Sequence, residues 1–191
     1  MQMPHSSVPE CVRIDGSNLR QAVEATCGHC LYWEEPEFFA TLEAKPFPPV
    51  WVDHKRAWFE KTWAEWGACG FLALSDGKPA GYVQYAPTQR FPGFYRYDYG
   101  MEKPPDAEVM VTCLHVPVPF RASGIGTRLL RAVVDDIRAR SLGRLWAYVR
   151  LDSANNPAGP LDLYLAGGFV EVARSKEVAG ASFALVKYDA G

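Results

Sequence analysis

A single junction in the middle of this chain limits its fold more than any other feature. Residues 108–116 are strongly β-forming, residues 121–126 read Arg-Ala-Ser-Gly-Ile-Gly, and a helix follows. The helix carries one apolar face, built from positions three and four residues apart: Ile125, Leu129, Leu130, Val133, Val134 and Ile137. A strand, a short loop and a one-faced helix in this order predict an α/β protein, whose sheet receives the apolar face of the helix.

Further strands and helices alternate along the chain, without an internal repeat. Asp76-Gly77 lies between two apolar runs and suits a tight hairpin turn, because this pair tolerates positive φ angles. Aromatic residues at helical spacing predict a buried helix face made of Trp58, Phe59, Trp63 and Trp66. The other predicted strands are residues 11–14, 71–74, 81–85, 144–151, 169–173 and 182–188, and the other predicted helices are residues 18–26, 38–44, 52–66 and 161–166.

The composition is that of an ordinary globular protein, with 48% hydrophobic and 22% charged residues in a chain of 191. We expect a mobile N-terminus at residues 1–10 and a single domain at residues 11–191. A formal net charge of -2 provides no basic stripe for phosphates, so no nucleic-acid partner is expected. No apolar run reaches the roughly 18 residues of a spanning helix, so no membrane partner is expected either. Five cysteines in a chain of this size favour free thiols and a cytoplasmic location.

The glycine loop has the features of an anion site. Gly124 and Gly126 lack the Cβ atoms that would block close approach to the backbone. The free N–H groups of the first helical turn and the helix dipole favour negative charge, and Arg121 adds a forked donor. A Walker loop would need Gly-Lys-Ser/Thr, but Thr127 follows Gly126, and a dinucleotide fingerprint would need a third glycine where Leu129 stands. A pyrophosphate group fits the loop as it is.

The segments on either side of the loop agree with one known family. Leu-His-Val at residues 114–116 precedes the loop, and Leu163-Tyr164 and Gly168-Phe169 follow it. In this order they resemble the GNAT superfamily of acyl-CoA N-acyltransferases, whose pyrophosphate loop reads Arg/Gln-x-x-Gly-x-Gly/Ala after a strand that often ends in Leu-x-Val. The resemblance spans residues 71–188 and implies a mixed, mostly antiparallel twisted sheet that is flanked by helices and splayed at its central strands.

The resemblance also implies a reaction. Acetyl-CoA would be the co-substrate, no metal would be needed, and an amine on a small molecule or a protein would attack the thioester directly in a ternary complex. The residues that match the family's CoA site are Leu114, His115, Val116, Arg121, Ala122, Ser123, Gly124, Ile125, Gly126, Thr127 and Asn155. The chain departs from the family pattern where Pro117 and Pro119 flank Val118, and where Asn155-Asn156-Pro157 replaces Asn-x-x-Ala.

Two side chains are candidates for the proton transfers. An amine with a pKa of about 10.4 is mostly protonated at neutral pH, so acyl transfer needs a base or a proton path. The resemblance implies a glutamate on the central strand or a water held there, and Glu108 is the candidate glutamate. Strand alternation places Glu108 on the face of Thr112 and Leu114, opposite His115, which is interpreted as a packed histidine or as a proton relay. Tyr164 matches the tyrosine that serves the leaving thiolate in this family.

Three other functions remain as alternatives. Cys27-Gly-His-Cys30 has the spelling of a redox dithiol, although it ends a predicted helix instead of opening one. A zinc site at the same cysteines would need further ligands, for which Cys11, His54, Cys69 and Cys113 are available. The last alternative is a non-catalytic acyl-CoA-binding sensor with the same fold.

The acceptor side is less well defined by the sequence. Residues 86–106 form a connection longer than usual, which suits either an aromatic lid or a solvated, variable loop. The aromatic residues concerned are Phe91, Phe94, Tyr95, Tyr97 and Tyr99. Carboxylates that would attract a cationic acceptor are Glu34, Glu35, Asp98, Glu102 and Asp106. The oligomeric state, including a homodimer, stays open.

Overall fold

The computed structural model describes residues 8–25, 30–41, 50–96, 98–151, 158–177 and 181–191. Within these ranges the strands are β1 (Glu10–Arg13), β2 (Gly70–Ser75), β3 (Lys78–Pro87), β4 (Val109–His115), β5 (Arg144–Arg150), β6 (Val170–Arg174) and β7 (Phe183–Asp189). The helices are α1 (Leu19–Ala25), α2 (Pro36–Ala40), α3 (Val50–Trp66), α4 (Gly93–Arg96), α5 (Ile125–Ala139) and α6 (Leu161–Ala166). Every strand and helix predicted from the sequence has a counterpart in the described residues, with bounds that differ by a few residues, and α4 was not predicted. The predicted helix positions 26 and 42–44 lie outside the described residues.

All of these strands belong to one sheet, in the order β1-β2-β3-β4-β5-β7-β6. Neighbouring strands are antiparallel except β4 and β5, which run parallel. The turn between β2 and β3 has φ angles of 50° at Asp76 and 73° at Gly77, as the predicted hairpin requires. The mixed, mostly antiparallel sheet predicted from the sequence is therefore confirmed.

β4 and β5 separate near the middle of the sheet. Their pairing ends where Val111 lies beside Ala147, although β4 continues to His115 and β5 to Arg150. β4 keeps its pairing with β3 on the other side as far as His115. The sheet is therefore splayed at its central strands, as predicted, and the backbone of β4 beyond Val111 faces an opening.

A β-bulge in β4 lies at the start of this opening. Tyr85 of β3 pairs with Val111, but the next β3 residue, Gln84, pairs with Cys113, which leaves Thr112 as the extra residue. A bulge of this kind breaks the alternation of side chains along a strand and increases its local twist. The side chains of Val111 and Cys113 therefore lie on opposite faces of the sheet, although residues two positions apart in a regular strand share a face.

The bulge reverses one prediction about β4. Leu114 packs in the cluster that includes α5, whereas His115 pairs with Tyr82, which lies in the cluster on the opposite face. Val109 lies in the same cluster as Leu114, so the side chain of its neighbour Glu108 lies on the opposite face, which is that of His115. The predicted faces of these residues were wrong because the extra residue shifts the alternation by one.

Helices cover both faces of the sheet. α5 packs on β2, β3 and β4, and its whole predicted apolar face is buried. α1 and α3 pack against each other on the opposite face, where they bury Leu19, Val23, Phe59, Leu72 and Tyr82. None of the helices in the described ranges is both long enough and apolar enough to cross a membrane.

The buried face of α3 agrees in part with the predicted aromatic stripe. Trp51, Lys55, Phe59 and Thr62 are buried, whereas Trp63 is 38% exposed. The spacing of four, four and three residues is helical, but two of the buried positions are polar. The prediction was right for Phe59, Trp58 and Trp66, which pack in the core, and wrong for Trp63. It missed the polar Lys55 and Thr62, which are buried on the same helix.

Three aromatic residues of the predicted 86–106 connection are packed in the core. The segment contains a short 3-10 helix, Thr88–Arg90, and α4, and it buries Phe91, Phe94 and Tyr99. Phe94 stacks on Trp33 with ring centroids 4.2 Å apart. The prediction of a lid or a solvated loop was therefore wrong for these three residues, because they form a core cluster. Tyr95 is 49% exposed, and Tyr97 lies outside the described residues.

Candidate functional site

The glycine loop leads directly into the N-terminus of α5. Gly124 is the N-cap and has a left-handed φ of 80°, a conformation that a side chain disfavours. The first helical hydrogen bond runs from the Arg128 N–H to the Gly124 carbonyl oxygen, at 3.1 Å. The N–H groups of residues 125–127 come before that bond and have no partner within the helix. They form the positive end of a 15-residue helix dipole.

A cavity of about 310 Å³ lies at this helix end and reaches the last residues of β4. Nine of the residues predicted for the CoA site line it together: Leu114, His115, Val116, Arg121, Ala122, Gly124, Ile125, Gly126 and Thr127. Four further lining residues were not predicted: Phe120, Gly159, Pro160 and Leu163. The turn signal Gly159-Pro160 before α6 was available in the sequence, but nothing in it shows that this turn lies opposite the glycine loop.

Two glycines in the cavity wall have side-chain positions that face other lining residues. A Cβ atom on Gly126 would lie 3.4 Å from Leu163 Cδ2. A Cβ atom on Gly159 would lie 3.3 Å from the same atom and 3.4 Å from Leu114 Cδ2. Backbone at both positions can therefore approach a bound group closely, as a pyrophosphate on helix amides requires.

Three predicted CoA-site residues have different surroundings. Arg121 Nε donates to the Val116 carbonyl oxygen at 3.0 Å, which ties the guanidinium to the end of β4 at the cavity wall. Ser123 Oγ donates to the Phe120 carbonyl oxygen at 2.5 Å, so it stabilises the turn and is not part of the cavity wall. Asn155 lies outside the described residues.

His115 lies in the cavity wall and is partly buried. Burial lowers the pKa of His115 below its ordinary value, and the nearby Arg121 guanidinium lowers it further. The imidazole is therefore held in its neutral form, in which it can both accept and donate a hydrogen bond.

Glu108 lies at the start of β4, away from the cavity. Its Oε1 accepts a hydrogen bond from Arg144 Nη1 at 2.9 Å, and its Oε2 accepts one from Trp146 Nε1 at 2.5 Å. Glu108 comes four positions before Thr112, which is about 13 Å along a strand. The structure therefore does not bring Glu108 together with the glycine loop or with Tyr164.

Tyr164 of α6 lies behind the cavity wall. It is fully buried, packs edge-on against Phe169, and donates from Oη to the Ala158 carbonyl oxygen at 2.6 Å. Its neighbour Leu163 lines the cavity, and a Cβ on Gly159 would lie 3.8 Å from the Tyr164 ring. Burial raises the pKa of Tyr164 well above that of an ordinary phenol.

The cysteines and histidines do not support the metal alternative in the part of the chain that is described. No group of three or more His, Cys, Asp or Glu side chains there could hold a metal ion. Burial raises the pKa of the Cys69 thiol to about 12, so this thiol stays protonated. Cys27, Gly28 and His29 lie outside the described residues, so the redox interpretation of that motif stays a prediction.

Comparisons with known proteins agree on one fold. An N-acetyltransferase from Staphylococcus aureus Mu50 is 14% identical, covers 97% of this chain and 100% of its own, and gives a TM-score of 0.63. A ribosomal-protein-alanine N-acetyltransferase from Brucella melitensis is 16% identical, with coverages of 94% and 99% and a TM-score of 0.62. A putative acetyltransferase from Salmonella typhimurium, solved with its cofactor acetyl-CoA, is 16% identical, with coverages of 97% and 95% and a TM-score of 0.63. At these identities the structures show a shared fold.

A search of curated protein sequences found no significant match. A family model described as the acetyltransferase (GNAT) family matches residues 28–169, which is well over half of the chain. The match includes the splayed strands, the glycine loop and α6. This protein therefore belongs to the GNAT family of acetyltransferases.

Proposed function

We propose that this protein transfers an acetyl group from acetyl-CoA to a primary amine by direct attack in a ternary complex. The observation that supports this most strongly is the cavity of about 310 Å³ at the N-terminus of α5. It combines helix amides that have no partner within the helix, the Arg121 guanidinium and an open sheet edge in one place. Membership of the GNAT family supplies the class of reaction.

The donor would bind along β4 and the glycine loop. Its pyrophosphate would accept hydrogen bonds from the N–H groups of residues 125–127, with Arg121 as a further cationic donor. Its pantetheine amides would meet the β4 backbone beyond Val111, where β5 no longer pairs with it. Acetyl-CoA is the donor proposed because the Salmonella structure, which shares this fold, contains it.

The proton transfers would use Tyr164 and a water. The attacking nitrogen forms the new C–N bond, and the C–S bond breaks with its electron pair on sulfur. Tyr164 would donate a hydrogen bond to that thiolate, because it lies next to the Gly159 and Leu163 walls of the cavity. We assign proton removal from the amine to a water in the cleft. Both carboxylate oxygens of Glu108 already accept hydrogen bonds at the other end of β4.

Two measurements test this proposal. Acetyl-CoA should raise the melting temperature of the protein, since a ligand that binds only the folded state stabilises it. With a broad panel of primary amines, the protein should also release free CoA thiol. Stabilisation without thiol release from any amine would contradict the enzyme and favour a non-catalytic acyl-CoA sensor.

A pair of arginine variants makes the binding measurement specific. Arg121→Ala should lose most of the rise in melting temperature, because it removes the guanidinium next to the cavity. Arg174→Ala is the matched control, because Arg174 pairs with Glu171 on β6 and is not part of the cavity wall. An equal rise in both variants would place the donor elsewhere.

A further inference from the structure

A buried polar cluster lies on the α1 and α3 side of the sheet, outside the donor cavity. Its members come from four parts of the chain: the segment before α2, α3, β3 and the bulge of β4. No member is more than 5% exposed, and the members are Glu34, Lys55, Tyr82, Gln84 and Thr112. Buried polar groups are normally hydrogen-bonded, so the partners of each atom can be traced.

The hydrogen bonds of the cluster converge on one carboxylate oxygen. Lys55 Nζ donates to Glu34 Oε1 at 2.5 Å, and Gln84 Nε2 donates to the same oxygen. Gln84 Nε2 also donates to Thr112 Oγ1 at 3.2 Å, and Tyr82 Oη donates to Gln84 Oε1. Glu34 is therefore held in position by its ion pair with Lys55 and by the Gln84 amide. That amide is itself hydrogen-bonded to Tyr82 and Thr112.

The second oxygen of this carboxylate has no hydrogen-bond partner among the described residues. Glu34 Oε2 is buried and accepts no hydrogen bond from the described residues, and the Glu34 side chain is only 2% exposed. A buried carboxylate oxygen without a donor is unfavourable, so a bound N–H or O–H group is expected to complete it. The missing partner must be a hydrogen-bond donor, because an ionised carboxylate can only accept.

The cluster lies next to the predicted position of the reacting atoms. Gln84 donates hydrogen bonds to both Glu34 and Thr112. Thr112 is the bulge residue at which β4 stops pairing with β5. It comes two residues before Leu114, the first β4 residue of the donor cavity. A donor with its pyrophosphate at residues 124–126 would extend along β4 towards Thr112. Its acyl end, and the nitrogen that attacks it, would therefore lie on the Glu34 side of the cavity.

We propose that Glu34 Oε2 accepts a hydrogen bond from the acceptor nitrogen and thereby selects primary amines. This inference rests on the proposed function. A primary ammonium group has three N–H bonds: one proton is lost to water before attack, and a second passes to the thiolate after the C–S bond breaks. The third N–H remains in the product amide, so it can donate to Glu34 throughout the reaction. A secondary ammonium group has only two N–H bonds. After one proton is lost to water, the other is the proton that must pass to the thiolate, so no N–H remains to hold the hydrogen bond to Glu34.

The experiment compares each primary amine that the wild type accepts with its N-methyl counterpart. The wild type should prefer the primary amine, by about tenfold or more in kcat/KM, because a hydrogen bond to a charged group is lost with the secondary amine. Glu34→Gln should lower kcat/KM for the primary amine at least tenfold and abolish this preference, with the KM for acetyl-CoA unchanged. In this variant the glutamine Oε1 can keep the contacts with Lys55 and Gln84. Its NH2 group then takes the place of Oε2, so a donor stands where the acceptor nitrogen needs a hydrogen-bond acceptor.

Two variants separate recognition from folding. Glu34→Gln/Lys55→Met removes the buried lysine charge along with its partner, so it should fold even if Glu34→Gln does not, and it should show the same loss of preference. Asp136→Asn is the matched control. Asp136 is also a buried carboxylate, but both of its oxygens already have partners, Arg13 on one and Tyr85 and Arg140 on the other. It should lose stability and keep the preference for primary amines.

The outcomes are distinct. An unchanged preference in a folded Glu34 variant that still binds acetyl-CoA would overturn the inference and leave the proposed function intact. The absence of thiol release by the wild type with every primary amine would overturn the proposed function and this inference with it. A loss of preference in Asp136→Asn equal to that in Glu34→Gln would show a general effect of stability and would also overturn the inference.

Discussion

At the residue scale, the Tyr164 side chain is buried as a neutral hydrogen-bond donor. Its hydroxyl already donates to the Ala158 carbonyl oxygen at 2.6 Å, and burial raises its pKa well above the ordinary value. The phenol is therefore neutral at physiological pH and acts as a hydrogen-bond donor. A thiolate formed beside Gly159 would compete for this donor with a neutral carbonyl oxygen, and the charged acceptor forms the stronger bond.

Replacing Tyr164 tests its part in the leaving-group step. Tyr164→Phe removes the hydroxyl and keeps the buried ring, so we expect kcat to fall by at least about tenfold. The affinity for acetyl-CoA should change little, because the phenol lies behind the cavity wall. Steady-state thiol release gives kcat, and calorimetry with acetyl-CoA gives the affinity. A normal kcat would remove Tyr164 from the mechanism.

Glu108, at the start of β4, is the other side chain that the sequence predicted for proton transfer. Glu108→Gln keeps the size of the side chain but weakens its contacts with Arg144 and Trp146, so a modest loss of stability is expected. The acidic limb of the rate profile should stay as in the wild type, because this carboxylate lies at the far end of β4. A flattened acidic limb would instead identify Glu108 as the base.

At the scale of elements, α5 combines a structural and a binding role along its length. Its middle buries Leu129, Val133 and Ile137 against the sheet. Its first turn, by contrast, contains Gly126 and faces the cavity. The amphipathic pattern of this helix and the glycine loop before it were both readable from the sequence. The identity of the opposite wall, α6 and the turn before it, depends on packing.

A side chain at Gly126 should obstruct the donor. Its Cβ would lie 3.4 Å from Leu163 Cδ2, so the methyl groups of Gly126→Val would project into a cavity of about 310 Å³. We expect the KM for acetyl-CoA to rise by at least about tenfold, the loss of roughly 1.4 kcal/mol of binding. The helix itself should persist, since valine is the better helix former of the two.

Gly16→Val is the control for this substitution. A Cβ atom at Gly16 would meet no atom within 4 Å, and this residue is not part of the donor cavity. Initial rates at varied acetyl-CoA concentration should therefore match those of the wild type. An unchanged KM in Gly126→Val would show that the donor does not use the cavity at the start of α5.

At the scale of the whole molecule, β4 links the two functional regions. Its last residues form part of the donor cavity on the α5 side, and its bulge connects to Glu34 on the other side. His115 belongs to the donor cavity but points to the face of Tyr82. Its protonation state therefore bears on the stability of the fold as well as on the site.

His115 should make the stability of the protein depend on pH. Its pKa in the folded protein lies below the ordinary value of 6.5, so below pH 6.5 the unfolded chain takes up a proton more readily than the folded protein does. The stabilisation from neutral His115 is complete above pH 6.5 and is lost as the pH falls below it. Urea unfolding of His115→Gln should show a weaker decline of stability with falling pH than the wild type. Identical declines would show that the imidazole does not contribute.

The predictions that succeeded from the sequence concern neighbours along the chain. The Asp76-Gly77 turn, the apolar face of α5 and the glycine loop depend on residues only a few positions apart, so their local pattern was sufficient to identify them. The same holds for α6, whose predicted bounds agree with the structure at both ends. Nine predicted CoA-site residues line one cavity for this reason: they are nearly continuous in sequence.

By itself, then, the sequence determined the strand, loop and helix of the donor site, and through them the fold class. Only the tertiary structure decided what surrounds the opening beyond it. Thr112 is a bulge residue because of the register in which β3 pairs with β4. Glu34 and Gln84 are 50 positions apart in the chain, and they are in contact because α1, α3 and the sheet pack together. Contacts of this kind depend on register and packing between distant segments, which no local pattern of residues records.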